Sequence, residues 1–209
     1  MTDEKMQILK DDIAFMRALA QEGSTVPLLF GGNLVSAGLI FGAAAIGHWM
    51  LFLFGLAQAS PWLLMVNWLI AGAIFAVVCT LLVQRAKSRP GFGAGVNKAT
   101  GAAWSGIGFA IFAMWLGMTA IGLATGDWKV MNVFPVLIFA LYGAAWFVAG
   151  VLSGKRWIKL VSLASFIGAV AMGALTGSPW LMLGYAASLL LLAVLPGWIL
   201  MRQEPTDIV

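Results

Sequence analysis

The chain has 209 residues, 62% of them hydrophobic and only 10% charged, with a mean hydropathy of +0.97. A soluble domain carries roughly 25% charged residues, so this chain cannot cover a globule with polar surface, and part of its solvent must be lipid. Its net charge of +4 is spread over loops with no basic stripe interleaved with aromatics, which excludes a nucleic-acid footprint, and its single cysteine, Cys79, excludes an intramolecular disulfide.

Residues 1–25 read as a cytoplasmic unit built on an amphipathic helix over 2–22. Met6, Leu9, Ile13, Met16 and Ala20 recur at spacings of 3-4-3-4, one face of a helix. Thr2 or Asp3 can cap its start and Gly23 can end it. Five acidic residues and no apolar core between Met1 and Gly23 argue against a cleavable signal peptide, so the first spanning helix is expected to act as its own insertion signal. The stripe covers about two heptads, too little to stand alone. It needs a partner: the protein's own loops, a second copy, the lipid surface or another protein. Its acidic residues disfavour an anionic lipid surface.

No charge occurs from Gly23 to Gln84. A spanning helix needs about 20 apolar residues, so this stretch holds two, over 33–57 and 62–84, with Pro27 and Gly31-Gly32 in an interfacial entry. Four more follow over 102–124, 131–153, 158–176 and 180–201, completing a six-helix membrane domain over 26–202 with a polar tail at 203–209. Pro135 falls early in the fourth helix, where it costs little, and Pro196 deep in the sixth, where a kink is expected. The fold class is therefore an all-α integral membrane protein.

Three turns share a pattern: Gly55 to Trp62, Gly122 to Trp128 and Gly173 to Trp180 each bring small, polar or Pro residues up to a Trp. Those are turn residues, and Trp favours the membrane–water interface. They imply three consecutive helix hairpins, roughly 33–84, 102–153 and 158–201. All three would enter the membrane in one direction, as a parallel repeat or through convergence of short turns on the same residues. With the amino terminus inside, 11 of the 12 basic residues fall on the cytoplasmic side, leaving Lys129 outside. The basic bias of cytoplasmic loops therefore puts both termini in the cytoplasm, and the expected site is a bacterial inner membrane.

Several residues stand out within the helices. His48 is the sole histidine, in the outer half of the first helix, where a neutral imidazole can reach a carbonyl or water. Asn33, Asn67 and Asn132 are amides able to bond across helices or line an outer vestibule, and Asn132 can cap the fourth helix. Gly38 with Gly42, Gly150 with Gly154, and the row Ser165, Ala169, Gly173, Gly177 are spaced for close helix approach. Gly91-Phe92-Gly93-Ala94-Gly95 before Lys98 matches neither the Walker pattern nor GxGxxG; it reads as a cytoplasmic connector on which the amino-terminal helix or a partner can dock.

No pair of reactive groups is spaced for acid–base or nucleophilic work, and one His with one Cys cannot build a haem, zinc or di-iron site. No enzyme activity, cofactor or metal is expected. Within those helix boundaries the only charged residue is Lys159, one residue into the fifth helix at its basic end, and none lies deep in a span, which disfavours ion-coupled transport. The expectation is a non-catalytic accessory, anchoring or regulatory module that works through its basic loops and amino-terminal helix, with Met6, Leu9, Ile13 and Met16 as docking residues. The alternative is passive passage of a small neutral or apolar solute.

Overall fold

The computed structural model describes Asp12, Ile13 and residues 27–204. Met6, Leu9, Met16 and the tail beyond Glu204 lie outside the described residues; Ile13 is helical and exposed. The described chain is helical, in the order α1 (Gly31–Leu53), α2 (Leu56–Ala59), α3 (Trp62–Lys87), α4 (Gly95–Thr125), a 3-10 turn (Trp128–Val133), α5 (Phe134–Leu152), α6 (Arg156–Ala174), α7 (Leu181–Leu189), a π segment (Leu190–Val194) and α8 (Leu195–Arg202). Six spans are long and apolar enough to cross a membrane, with α7, the π segment and α8 making the sixth.

The boundaries differ from the sequence reading where local chemistry overrides hydropathy. The first helix starts at Gly31 and stops at Leu53, because Gly55 turns the chain at φ +71°. The third begins at Gly95, seven residues earlier than 102, so Lys98 belongs to the helix and not to the loop. Its 31 residues extend about 46 Å at 1.5 Å per residue, beyond the roughly 30 Å of bilayer hydrocarbon. The fourth opens with the 3-10 turn, capped by Asp127, whose Oδ1 accepts from the Lys129 amide at 2.9 Å. That cap replaces the one expected from Asn132, which sits inside the turn. The fifth ends at Ala174, so Gly177 lies in the following turn at φ +83°; Gly154 likewise lies past α5 at φ +66°. Neither can belong to a helical small-residue row.

Two of the three similar turns match in detail. Thr125 and Thr176 each donate to the carbonyl four residues back; Gly126 and Gly177 follow with positive φ; Asp127 and Ser178 then accept from the amide two residues on. The first turn departs: its left-handed glycine, Gly55, stands at the start, and the equivalent of Gly126 is Ala59, within α2. Trp62, Trp128 and Trp180 close the three turns, all exposed.

Pro196 produces a π segment where a kink was expected. Lacking an N–H, it cannot donate to the Leu192 carbonyl four residues back. That carbonyl instead accepts from Trp146 Nε1 on α5 at 3.1 Å. Trp146 is fully buried, and this bond satisfies its only polar atom.

Helix α1 is central, packing along α3 and against α7, the π segment and α8, and the most extensive helix pair is α5 with α6. That pair joins the second proposed hairpin to the third, whereas α6 and α7 touch only slightly. Helices α3 and α4 are wings. Only 6% of the apolar window of each is buried, against 50% over Trp128–Leu152, so their surfaces are left for lipid. The core runs from Leu28 and Leu34 through Phe139, Tyr142 and Trp146 to Tyr185, Leu189 and Leu200.

Candidate functional site

The interior polar groups fall at two levels. Towards the turn end of the bundle, Trp68 Nε1 on α3 donates to His48 Nδ1 on α1 at 3.0 Å. An indole N–H only donates, so Nδ1 carries the lone pair and the neutral ring keeps its proton on Nε2. The partner of His48 Nδ1 is thus an indole from the neighbouring helix, and Phe52 stacks on the imidazole at 5.3 Å. The signal was hidden because Trp68 lies 20 residues away on another helix.

From His48 an unbroken row of rings crosses the bundle: Trp68, Tyr185, Phe139, Tyr142, Trp104 and Phe30, with successive centroids 5.3–6.4 Å apart. Tilted and edge-to-face contacts at this range add to burial. The row joins both wings to the core and fills the interior with packed rings.

Asn67 does what a membrane amide is expected to do. Its Nδ2 donates across the α1–α3 seam to the Ala44 carbonyl at 2.8 Å. Its Oδ1 sits 2.9 Å from where a Cβ on Gly47 would lie, so any larger residue there would have to displace the amide. Grooves of about 380 and 430 Å³ flank Asn67 along this seam, one lined by Met50, Leu51 and Phe54 and the other by Leu39, Ile40 and Ile70. The three asparagines do not share a vestibule: Asn33 is in the first turn of α1, at the opposite end of the bundle from Asn132.

The small-residue rows divide in the same way. A Cβ on Gly38 would meet Val194 Cγ2 at 2.5 Å, while Gly42 has room, with Ala186 O at 4.0 Å. Ser165 and Ala169 are buried, but Gly173 is exposed with nothing within 4 Å, and Gly177 is in the turn. The expected four-membered row therefore reduces to two packed members: Gly177 lies beyond the end of α6, and no neighbour approaches Gly173 within the helix. Gly150 does abut Lys159 on α6, its Cβ position 3.1 Å from the Lys159 amide nitrogen. The closest backbone approach is elsewhere: a Cβ on Gly31 would lie 2.6 Å from Gly197 O, and one on Gly197 would lie 2.8 Å from Gly31 O.

At the basic end, side chains tie the connections together. Asn97, in the first turn of α4, uses its whole amide. Its Nδ2 donates to Pro27 O at 3.0 Å and Gly91 O at 2.9 Å, and its Oδ1 accepts from the Leu29 amide at 3.2 Å. Arg89 pairs with Glu204, and Lys155 Nζ donates to Gln203 Oε1 at 2.6 Å. Partial burial lowers the Lys155 pKa from its usual value. The Arg202 guanidinium lies 3.7 Å over the Trp198 ring. Leu28 is fully buried, so the entry segment 27–30 packs into the bundle through that side chain. Asn97 was missed by the sequence reading; its signal was an amide placed straight after a Gly-rich turn, at a helix start.

No protein-family model matches the chain, and no curated protein or solved structure matches it.

Proposed function

We propose that this chain is a non-catalytic membrane module that anchors its amino-terminal segment at the cytoplasmic face of a bacterial inner membrane and offers it to a partner. Both termini are inside on this reading, and the three Trp-closed turns face out. The observation that carries it is the Asn97 amide, which fastens the lead-in carrying residues 1–26 to both the Gly91 turn and α4. A segment meant to present a docking helix needs a defined attachment, and Asn97 supplies it with two hydrogen bonds to the lead-in and a third to Gly91 O. The ties of Arg89 to Glu204 and Lys155 to Gln203 support the same reading, since they join the basic connections into one platform. The close match of the second and third turns supports duplication of at least those two hairpins.

The test compares full-length protein with a deletion of residues 1–22, each cross-linked in cells and purified in detergent. The expected result is an inserted bundle in both and one defined cross-linked partner in the full-length form alone. Failure of the deletion to insert would make the segment structural and sink the proposal.

A second reading is passive passage of a small neutral or apolar solute, favoured by the grooves beside Asn67. Solute flux in liposomes carrying the full chain would distinguish it.

A further inference from the structure

We infer that Pro27–Phe30 is a displaceable plug, latched by Asn97 and held over two polar groups that the closed state leaves without partners. Three independent observations meet here. The plug is wedged in: Leu28 is 1% exposed, and the Phe30 ring lies 5.8 Å from Trp104 and 5.9 Å from Trp146. Asn97 bonds the plug at Pro27 O and Leu29 N. On the helix that carries the latch, Thr100 Oγ1 and Trp104 Nε1 are buried with no hydrogen-bond partner among the described residues, and Thr100 is fully buried.

The spacing makes these one site. Asn97, Thr100 and Trp104 follow at i, i+3 and i+7, one face of α4. Asn97 holds the plug at one end of that face and Trp104 meets it at the other, so Thr100 lies between two residues that contact it. A buried donor left unpaired carries its full desolvation penalty. Water entering behind a withdrawn plug would give Thr100 and Trp104 their missing partners. The closed state therefore has a built-in cost, and the Asn97 bonds and the Leu28 and Phe30 contacts offset it. Helix α4 is a wing held mainly by α5, so it can follow the plug through Asn97. The inference extends the proposed module by giving its amino-terminal segment a route into the bundle, and its test needs no partner.

The experiment places a single cysteine at Leu28 in a Cys79→Ala background and measures its labelling by a water-soluble maleimide. A second protein carries Met172→Cys, at an equally buried position between α6 and α7, as a reporter of global opening. Labelling at position 28 is expected to be slow, to rise roughly tenfold on Asn97→Ala as the latch bonds are lost, and to slow several-fold on Thr100→Val, which removes an unpaired hydroxyl. Position 172 is expected to stay protected throughout. Hydrogen exchange of the Leu29 amide reads the same plug without a cysteine and should follow the same order. An Asn97→Ala rate equal to the parent's would overturn the latch. No slowing with Thr100→Val would overturn the poised state. Opening of position 172 in step with position 28 would show that the plug is not a separate unit.

Discussion

Asn67 and Lys155 show how the same residue logic plays out on the two sides of an interface. The Asn67 amide lies within α3, where few alternatives to the Ala44 carbonyl exist. Interhelical bonds of this kind contribute about 0.6 kcal/mol on average and up to about 2 kcal/mol. Asn67→Leu should therefore lower stability by that order, read as a fall in thermal midpoint in detergent. Gly47→Ala should act in the same direction by pushing against Oδ1. Lys155 lies outside the spans, between α5 and α6, and burial lowers its pKa below the usual 10.5. Its charged form is thus disfavoured in the folded state. The sign follows: the cost is present below the folded pKa and is relieved as pH rises through that value to 10.5. Wild-type stability should gain on Lys155→Met as pH is raised across that window. A difference that stays flat with pH would show that Lys155 feels no desolvation.

At the scale of the element, glycine has meaning only where another backbone arrives. Sequence spacing marks Gly173 as a packing residue, yet nothing lies within 4 Å of its Cβ position. Gly31 reads as part of an interfacial entry, yet its Cβ would strike Gly197 O at 2.6 Å. Overpacking against backbone costs about 1–3 kcal/mol, so Gly31→Ala should destabilise by that amount. Gly173→Ala should stay within roughly 0.5 kcal/mol of the parent, as exposed substitutions do. Equal effects of the two on the unfolding midpoint would contradict the crossing of α1 and α8. The sixth span shows the same dependence on a neighbour. Pro196 announces a break in the sequence, but the π segment with its Leu192 carbonyl bonded to Trp146 is the form that break takes beside α5.

At the scale of the whole molecule, six apolar spans place one set of ends with the basic residues and the other with Trp62, Trp128 and Trp180. The proposed orientation predicts that a cysteine beside Lys159 is labelled only from the cytoplasmic side, and one at Lys129 only from the outside. The reverse pattern would invert the protein and remove the cytoplasmic docking role with it. The structure also weighs the hairpins unequally. The α5–α6 pair, across the second and third proposed hairpins, is the largest, and α6 barely meets α7, so the proposed hairpins do not correspond to separate packing units.

The sequence by itself determined that the chain is helical and membrane-spanning, how many spans it has, where its turns fall and which ends are basic. Those properties are local or additive: hydropathy over a window, a glycine with positive φ, a charge at a helix end. Asn67 was legible for the same reason, since any amide in an apolar helix must find a partner across it. Only the tertiary structure decided that His48 bonds Trp68, that Gly31 and not Gly173 is at a close crossing, that Trp146 completes the break at Pro196, and that Asn97 roots the lead-in over Thr100 and Trp104. Each of these depends on which helix lies beside which. In lipid, where apolar faces look alike to their surroundings, that choice is made by a few close contacts and hydrogen bonds that no periodicity records.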